Sequence, residues 1–454
     1  MPDPKGDPGA ARRRAERRVG LAKLWARAKQ ILTTDPTGRD EDDAVVEAAA
    51  AEALTAEARE LHGALAKVAQ LAAYDPGAAF GDALELERGA RADAGARLGA
   101  LWDGAAAVGA DLVERVIVEE LGASPAELFA AFERAPLAAA SLGQVHAARG
   151  HDGREYVVKV QYPGIAAALE ADLAETRLAR RLAGAHLGEQ LDEATLAALR
   201  EAVQREVDYE QEAGALTAFA RIWASEPTLQ FPEVDAARSA RRVLTMTRAR
   251  GATLVEVAAA TGARADSVRA AAASAIFRFT WGSPLAHAVL NTDPNPGNFL
   301  VEDRGEEVVV WCLDFGSTLP LPPAVVEAER RLWWGLTEED SQDAAEKFRM
   351  ALAELGLLGR ADALSSDAHR DWERALAAPF QGGAAFRYDV AYARRLATTT
   401  ARALATGGLR LTSRTLLLWR QRLAAVAVLG LLGAEVPSRR ILRELIGTGR
   451  RALR

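Results

Sequence analysis

The spacing of hydrophobic and polar positions changes several times along this chain of 454 residues, and it predicts where helices give way to strands. Residues 51–135 are rich in alanine and predict several helices, broken at "YDPGAAFGD" and "LGASP". Over residues 136–165 two strand-like segments flank a His-Asp-Gly turn, which predicts a β-hairpin. Helices are predicted again over residues 165–225.

In the second half of the chain, strand-like segments again alternate with helical ones. Short strands at "LQFPEV" and "RRVLTMT" precede a turn at Gly251, and a helix through "AAASAIFRFTW" leads to "LNTDPNPGNFLV". That segment begins a second predicted hairpin, whose turn is Asp303-Arg304-Gly305. Helices are predicted beyond about residue 325. The late apolar run Leu423–Ala434 is shorter than the roughly 20 residues that span a bilayer, so it predicts a buried helix.

Composition excludes several classes of protein. A single cysteine rules out a disulfide framework and any zinc site built from cysteines, and it favours a reducing compartment. The proportions of hydrophobic and charged residues are those of a soluble globular protein. Residues 1–30 lack an apolar signal segment. We therefore expect a cytoplasmic protein without a transmembrane helix.

The net charge of −7 conceals a basic N-terminus. Residues 1–30 carry nine Lys/Arg and three Asp/Glu, so the rest of the chain is strongly acidic, which disfavours a nucleic-acid partner. Leu21, Leu24 and Trp25 fall on one face of a predicted basic helix. Three interpretations remain open: the helix packs on the core, which is favoured, it binds an anionic membrane surface, or it is a transit peptide.

Two loops of the second predicted hairpin carry candidate catalytic residues. Asp293 and Asn298 lie five apart on a loop stiffened by prolines, and Asp314 ends the paired strand in "DFG". Phosphoryl transfer from a nucleotide needs a carboxylate that orients the acceptor and oxygen ligands for Mg²⁺. We predict that Asp293 orients the attacking group and that Asn298 and Asp314 bind the metal. The alternative is a hairpin that is merely flanked by two turns containing aspartate.

A lysine on the first hairpin is the candidate contact for the upstream phosphates. Lys159 lies in the apolar segment "EYVVKVQ", where its burial is costly without an acidic partner. The segment "REVDYEQEAGAL" offers Glu206, Asp208, Glu210 and Glu212. We predict Glu206 as the partner of Lys159, against the alternative that these acids form a solvated helix face.

The segment before the first hairpin is rich in alanine where a protein kinase has a glycine-rich loop. It reads "PLAAASLGQVHAA", and the positions in question are Ala138, Ala139, Ala140 and Ser141. With this loop the chain resembles the UbiB/AarF family of atypical protein-kinase-like proteins, the aarF-domain-containing kinases. The other similar motifs are "VVKVQYPG", "EVD" with Glu212 after it, "DPNPGN" and "DFG". The resemblance covers roughly residues 55–430.

This family also has a K-x-G-Q helix that folds over the active site. The similar segment here, "LAKVAQLAAYD", has Lys67 and Gln70 in place and Ala69 instead of glycine. The resemblance implies that a group of regulatory residues gates the site: Lys67, Gln70, Asp208 and Glu212. The catalytic loop departs from the family in a second place, because Asn291 replaces a frequent histidine.

The resemblance implies an α+β, protein-kinase-like fold with two lobes. Residues 1–50 are then a basic amphipathic helix and linker, residues 51–135 a helical extension that carries the KxGQ-like segment, residues 136–250 a small N-lobe that contains strands, and residues 251–454 a helical C-lobe. The implied cofactors are ATP and Mg²⁺. The alanine-rich loop would cover the phosphates, and the linker near Met246 would contact the adenine.

Three functions stay open at this point. The first is a Mg²⁺-dependent atypical kinase or ATPase that phosphorylates a small molecule or water, in support of isoprenoid quinone biosynthesis or lipid homeostasis. The second is a pseudokinase scaffold that binds nucleotide without turnover. The third is a small-molecule phosphotransferase of the aminoglycoside or choline kinase type. The resemblance implies quinone-biosynthesis proteins and lipid membranes as partners.

Overall fold

The computed structural model describes residues 109–140, 142–166, 201, 204–338, 342–412 and 415–452. The expectations for the basic N-terminal helix and the KxGQ-like segment, with Lys67 and Gln70, lie outside the described residues, as does Ser141. The division of the chain into four regions therefore stays a prediction.

The described helices and strands follow one another in an α+β arrangement. The helices are α1 (Ala110–Leu121), α2 (Pro125–Leu128), α3 (Tyr209–Ile222), α4 (Leu254–Ala259), α5 (Ala263–His287), α6 (Pro323–Thr337), α7 (Gln342–Glu354), α8 (Asp367–Ala377), α9 (Val390–Ala405), α10 (Leu416–Leu432) and α11 (Ser438–Ala452). The strands are β1 (Ala131–Phe132), β2 (Ala138–Ala140), β3 (Gly143–Arg149), β4 (Glu155–Gln161), β5 (Leu229–Gln230), β6 (Val243–Thr247), β7 (Ala252–Thr253), β8 (Val289–Asn291), β9 (Phe299–Asp303), β10 (Val308–Cys312), β11 (Thr318–Pro320), β12 (Phe386–Arg387) and β13 (Glu435–Val436).

A small antiparallel sheet contains the first predicted hairpin. Its order is β1-β3-β4-β6, with β2 also paired to β3. The predicted hairpin is present as β3 and β4, and its register pairs Gly143 with Gln161. Successive side chains of a strand point to opposite faces. Val158 and Val160 therefore pack in the cluster that also contains α1, while Lys159 points to the other face.

The second predicted hairpin is confirmed in a separate sheet of order β5-β10-β9-β7. β9 and β10 are antiparallel, and Gly305 in their turn has a φ of 86°, a conformation that glycine adopts without strain. Cys312 is buried in the core. Leu313 N donates to Asn298 O at 3.0 Å, and Thr292 N donates to Ser317 O at 2.8 Å. These bonds fasten the loop before the hairpin to the loop after it.

The long helix α5 forms the centre of the helical part and contains a proline. Pro284 has no N–H, so the carbonyl of Thr280 loses its normal helical donor. The side chains of Gln421 and Arg422 from α10 donate to this carbonyl at 2.9 and 3.0 Å. α10 is thereby tied to α5 one turn before Pro284.

The late apolar run is a buried helix, as predicted. α10 continues through Leu423 to Leu432, and most of its side chains are buried. Among the residues described here, we find no helix long and apolar enough to cross a membrane.

Candidate active site

A buried lysine lies at the centre of the candidate site. Lys159 Nζ donates to both carboxylate oxygens of Glu212 at 2.9 Å and to Oδ2 of Asp314 at 3.3 Å. The ring of Tyr209 lies beneath the ammonium group, 4.9 Å from its centroid to Nζ. The lysine thus joins the small sheet, helix α3 and the loop after β10.

The structure corrects the predicted partner of Lys159. The ion pair is made with Glu212 and not with Glu206, whose Oε1 accepts a hydrogen bond from the hydroxyl of Ser317. The prediction assumed one continuous helix through these acids. Instead a new helix begins at Tyr209, with Asp208 as its N-cap accepting from the backbone N–H groups of residues 210 and 211. This break points Glu212, in the first turn of α3, at the sheet.

The protonation of the cluster follows from burial and from its charges. Burial lowers the pKa of Lys159, but the carboxylates of Asp314 and Glu212 outweigh burial and hold that pKa well above its usual range. Burial raises the pKa of Glu212 to about 7, against the opposing effect of the Lys159 ammonium. Burial also raises the pKa of Tyr209 well above its usual range. Lys159 is therefore a permanent cation at neutral pH.

The residues of the predicted catalytic loop are held by hydrogen bonds within that loop. Asn298 Nδ2 donates to Asp293 O at 2.9 Å, and Asp293 N donates to Asn291 Oδ1 at 3.2 Å. Asn291 Nδ2 also donates to Asp314 O at 2.9 Å. Asn291 therefore links the loop of Asp293 to the loop of Asp314.

The DFG segment is anchored by its phenylalanine. Phe315 is buried, and its ring centroid lies 4.8 Å from that of Phe219 on α3 and 5.8 Å from that of Phe231. Asp314 Oδ1 accepts from Gly316 N at 3.0 Å. This packing keeps the Asp314 carboxylate beside Lys159, in a cleft that Asp293 and Glu206 also line.

The donor set is compatible with Mg²⁺. Asp314 lines the cleft and its carboxylate is about one third exposed. Nδ2 of Asn298 is engaged within the loop, so its carbonyl oxygen is the atom that it could offer to a cation. Mg²⁺ in nucleotide sites is usually held by one or two protein oxygens together with phosphates and water. The described residues contain no cluster of three or more His, Cys, Asp or Glu that would hold a metal without such help.

The alanine-rich segment is a strand and not an open loop. Ala138, Ala139 and Ala140 form β2, which pairs residue by residue with β3. A Cβ on Gly143 would meet the carbonyl oxygen of Val160 at 2.2 Å, so the hairpin is packed tightly against β4. Met246 is buried on β6 opposite Val157. Their contacts with a nucleotide stay predictions.

The fold brings to this site three residues that are not among the predicted ones: Tyr209, Ser317 and Arg420. Nη2 of Arg420 lies 3.5 Å from Oδ1 of Asp293. A signal for Arg420 was present, because "RQR" interrupts an otherwise apolar helix at residues 420–422. For Tyr209 and Ser317 no signal separates them from ordinary neighbours of an acidic motif.

The chain is similar to several known proteins. Residues 100–348 match the family model of the ABC1 atypical kinase-like domain. The chain is 32% identical over 274 residues to the atypical kinase COQ8, mitochondrial, of Saccharomyces cerevisiae, which covers 60% of this chain and 52% of that protein. It is 33% identical over 298 residues to the uncharacterized protein Rv0647c of Mycobacterium tuberculosis, with 64% and 58% covered. The chain thus spans little more than half the length of these relatives.

A solved structure is also similar. Rv3197 of Mycobacterium tuberculosis, solved in complex with erythromycin, is 26% identical with a TM-score of 0.60, and the match covers 90% of this chain and 100% of that one. Since the ABC1 model matches more than half of the chain, the resemblance to the UbiB/AarF atypical kinases is confirmed. The chain belongs to the ABC1 atypical kinase-like family.

Proposed function

We propose that this protein is a Mg²⁺-dependent, ATP-binding atypical kinase or ATPase that transfers a phosphoryl group to water or to a small molecule. The observation that carries the proposal is the position of Lys159, in contact with both Glu212 and Asp314, in a cleft that Asp293 also lines. A cation for the phosphates, an acid that holds this cation and a carboxylate near the acceptor are the parts that phosphoryl transfer needs.

Each residue has a role that follows from its chemistry. Lys159 neutralises charge on the upstream phosphates, and Glu212 holds the lysine in place. Asp293 orients the attacking hydroxyl group or water. Asn298 and Asp314 present oxygen atoms to Mg²⁺, which when bound supplies positive charge to the phosphates. The segment Ala138–Ser141 is proposed to cover the phosphates.

The segment after DFG favours an acceptor other than a protein. β11 follows Gly316 almost at once and α6 begins at Pro323, so the chain has little length there for an activation loop. The strand β11 pairs with β8, directly before the catalytic loop. A short, paired segment supports a closed site that admits a small acceptor.

The cellular role is proposed from the relatives. The COQ8 proteins of Saccharomyces cerevisiae and Schizosaccharomyces pombe are each named a mitochondrial atypical kinase. A relative from Arabidopsis thaliana is named ACTIVITY OF BC1 COMPLEX KINASE 8, chloroplastic. The UbiB/AarF resemblance implies isoprenoid quinone biosynthesis or lipid homeostasis, and we propose the same area for this chain. Quinone-biosynthesis proteins and an anionic membrane, bound through residues 1–30, are the proposed partners.

Thermal unfolding with and without Mg-ATP tests the nucleotide site. A ligand at 100 times its dissociation constant stabilises the folded state by about 2.7 kcal/mol. We expect this shift in the wild type and in the surface control Asp362→Asn, and its loss in Asp314→Asn. No shift in the wild type at millimolar Mg-ATP would contradict the proposal. A shift without phosphate release or small-molecule phosphorylation would favour the pseudokinase.

A second candidate function is the binding of a macrolide. The observation that favours it is the similarity to Rv3197, whose structure was solved with erythromycin. The same unfolding assay, with erythromycin in place of Mg-ATP, tests it directly. A dose-dependent rise in the unfolding temperature is the expected result, and its absence at saturating drug would reject the candidate.

A further inference from the structure

We propose that Arg420 is a positioning residue that holds the Asp293 carboxylate in the orientation needed for phosphoryl transfer, an inference that rests on the function proposed above. Nη2 of Arg420 lies 3.5 Å from Oδ1 of Asp293, and the two side chains are only 16% and 19% exposed. Charges that are largely removed from solvent are screened less by salt than surface pairs are. The contact can therefore orient the carboxylate before a substrate arrives.

The charges of the cleft show why such a residue is needed. Four carboxylates line it, those of Glu206, Glu212, Asp293 and Asp314. Lys159 is directed at two of them, Glu212 and Asp314. The catalytic loop brings no cation of its own, because residues 294–298 read Pro-Asn-Pro-Gly-Asn. Arg420 adds positive charge beside Asp293, where an incoming phosphoryl group adds further negative charge.

The backbone around Asp293 is held separately from its side chain. Its N–H donates to Asn291 and its carbonyl accepts from Asn298, so the backbone of the loop is fixed by hydrogen bonds in which the carboxylate takes no part. Arg420 acts on this carboxylate from a helix more than 100 residues further along the chain.

The helix that carries Arg420 is anchored firmly. The next two residues, Gln421 and Arg422, donate to the carbonyl that Pro284 leaves without a helical donor. Arg422 also pairs with the buried Glu329 at 3.1 Å. Nη1 of Arg420 is buried without a hydrogen-bond partner among the described residues. An unsatisfied buried donor calls for an explanation, and a functional demand on the position of this side chain provides one.

The test compares turnover with nucleotide affinity. Misplacement of a catalytic group by about 1 Å can cost about 100-fold in rate. For Arg420→Gln we expect kcat for phosphate release to fall about 10- to 100-fold, while KM for Mg-ATP and the Mg-ATP unfolding shift remain unchanged. Arg420→Lys keeps the charge and should recover part of kcat. The control Arg374→Gln, on the exposed surface of α8, should leave both parameters as they are.

A double-mutant cycle with Asp293→Asn tells whether Arg420 acts through Asp293. If it does, Arg420→Gln lowers kcat less than about twofold in the Asp293→Asn background, since coupled residues are not additive. A full additional loss in that background would overturn the proposal. Retained kcat in Arg420→Gln, or a changed KM with unchanged kcat, would overturn it as well.

The four proteins of this cycle are the wild type, Arg420→Gln, Asp293→Asn and the double variant. They are also unfolded in urea without nucleotide. Non-additive midpoints are expected, because the two side chains contact each other in the free protein. Additive midpoints would show that the contact is absent and would overturn the proposal while Mg-ATP binding by the wild type still stands. A wild type that neither binds nor hydrolyses Mg-ATP overturns both proposals, and the urea cycle then shows whether the contact itself is real.

Discussion

Glu212 and Lys159 form the buried ion pair at the centre of the site, with the lysine Nζ 2.9 Å from each carboxylate oxygen. Glu212 is 2% exposed and Lys159 8%. A buried pair of this kind contributes little net stability while intact, yet loss of one partner leaves an uncompensated charge. The pair is thus a point where folding and the proposed nucleotide site depend on the same two side chains.

Glu212→Gln should destabilise the protein by about 3 kcal/mol, because Lys159 loses its closest counter-ion while remaining buried. It should also reduce the Mg-ATP unfolding shift. Urea unfolding measures the first effect, and the ligand-dependent unfolding temperature measures the second. The matched control is Glu210→Gln, an exposed position on the same helix, for which no change is expected. Equal stability of both variants would contradict this account of the pair.

Glu329→Gln should be among the most destabilising changes in the helical part. Glu329 accepts from Arg422 at 3.1 Å and from the Trp333 indole at 2.7 Å, and it is 1% exposed. The neutral variant leaves the Arg422 guanidinium buried without its counter-charge, at a cost of about 3–5 kcal/mol in the free energy of unfolding.

The control for Glu329 is Glu354→Gln, which removes an ion pair between half-exposed side chains. Such pairs contribute about 0–1 kcal/mol, so a small change is expected there. Urea unfolding of both variants provides the comparison. If they lose the same amount of stability, burial of the Arg422–Glu329 pair is not the reason for its importance.

Gly143→Ala should destabilise the small sheet. The added Cβ would meet the Val160 carbonyl oxygen at 2.2 Å, so the β2–β3 hairpin would have to move away from β4. Overpacking of this kind costs about 1–3 kcal/mol. Gly109→Ala is the control, because within the described part of the chain no contact closer than 4 Å is found for its added Cβ. Urea unfolding should separate the two, and a stable Gly143→Ala with full Mg-ATP binding would contradict the tight hairpin.

His146 should make the protein less stable as the pH falls from 7.5 to 5.5. The buried imidazole shares hydrogen bonds with Glu133 O and with Gln144 Nε2, both at 2.9 Å, and burial lowers its pKa. An unfolded histidine takes up a proton near pH 6.5, so below this value the unfolded state binds more protons and the free energy of unfolding decreases.

The measurement is the change in urea midpoint between these two pH values for the wild type and for His146→Gln. Glu212 has the opposite sign in this range, because its raised pKa lets the folded state bind the extra proton. The two proteins share that contribution, so the difference between them isolates His146. On acidification the urea midpoint of the wild type should fall further, or rise less, than that of His146→Gln, and equal changes in the two proteins would contradict the prediction.

Local patterns predicted both hairpins and the late buried helix correctly. The two hairpins formed where strand-like segments flank Gly-containing turns, and the run after Leu423 became a buried helix, because strand alternation and helix burial are properties of short segments. The predicted partner of Lys159 was wrong because of an equally local feature, the position of a helix boundary. Whether a helix runs through Val207 or restarts at the Asp208 cap changes which acid faces the sheet, and four acids lie within two helical turns.

The sequence by itself determined the family and the identity of the candidate catalytic groups. The family's motifs occur in their expected order along the chain, with Lys159 first, then Asp293 and Asn298, and Asp314 last. Tertiary structure alone decided the contacts between distant segments: Glu212 on Lys159, Arg420 on Asp293, and the α10 side chains on the carbonyl exposed by Pro284. The reason is physical. Hydrophobic periodicity records which face of an element is buried, but a charge–charge contact depends on how two elements cross, and no local pattern records that angle.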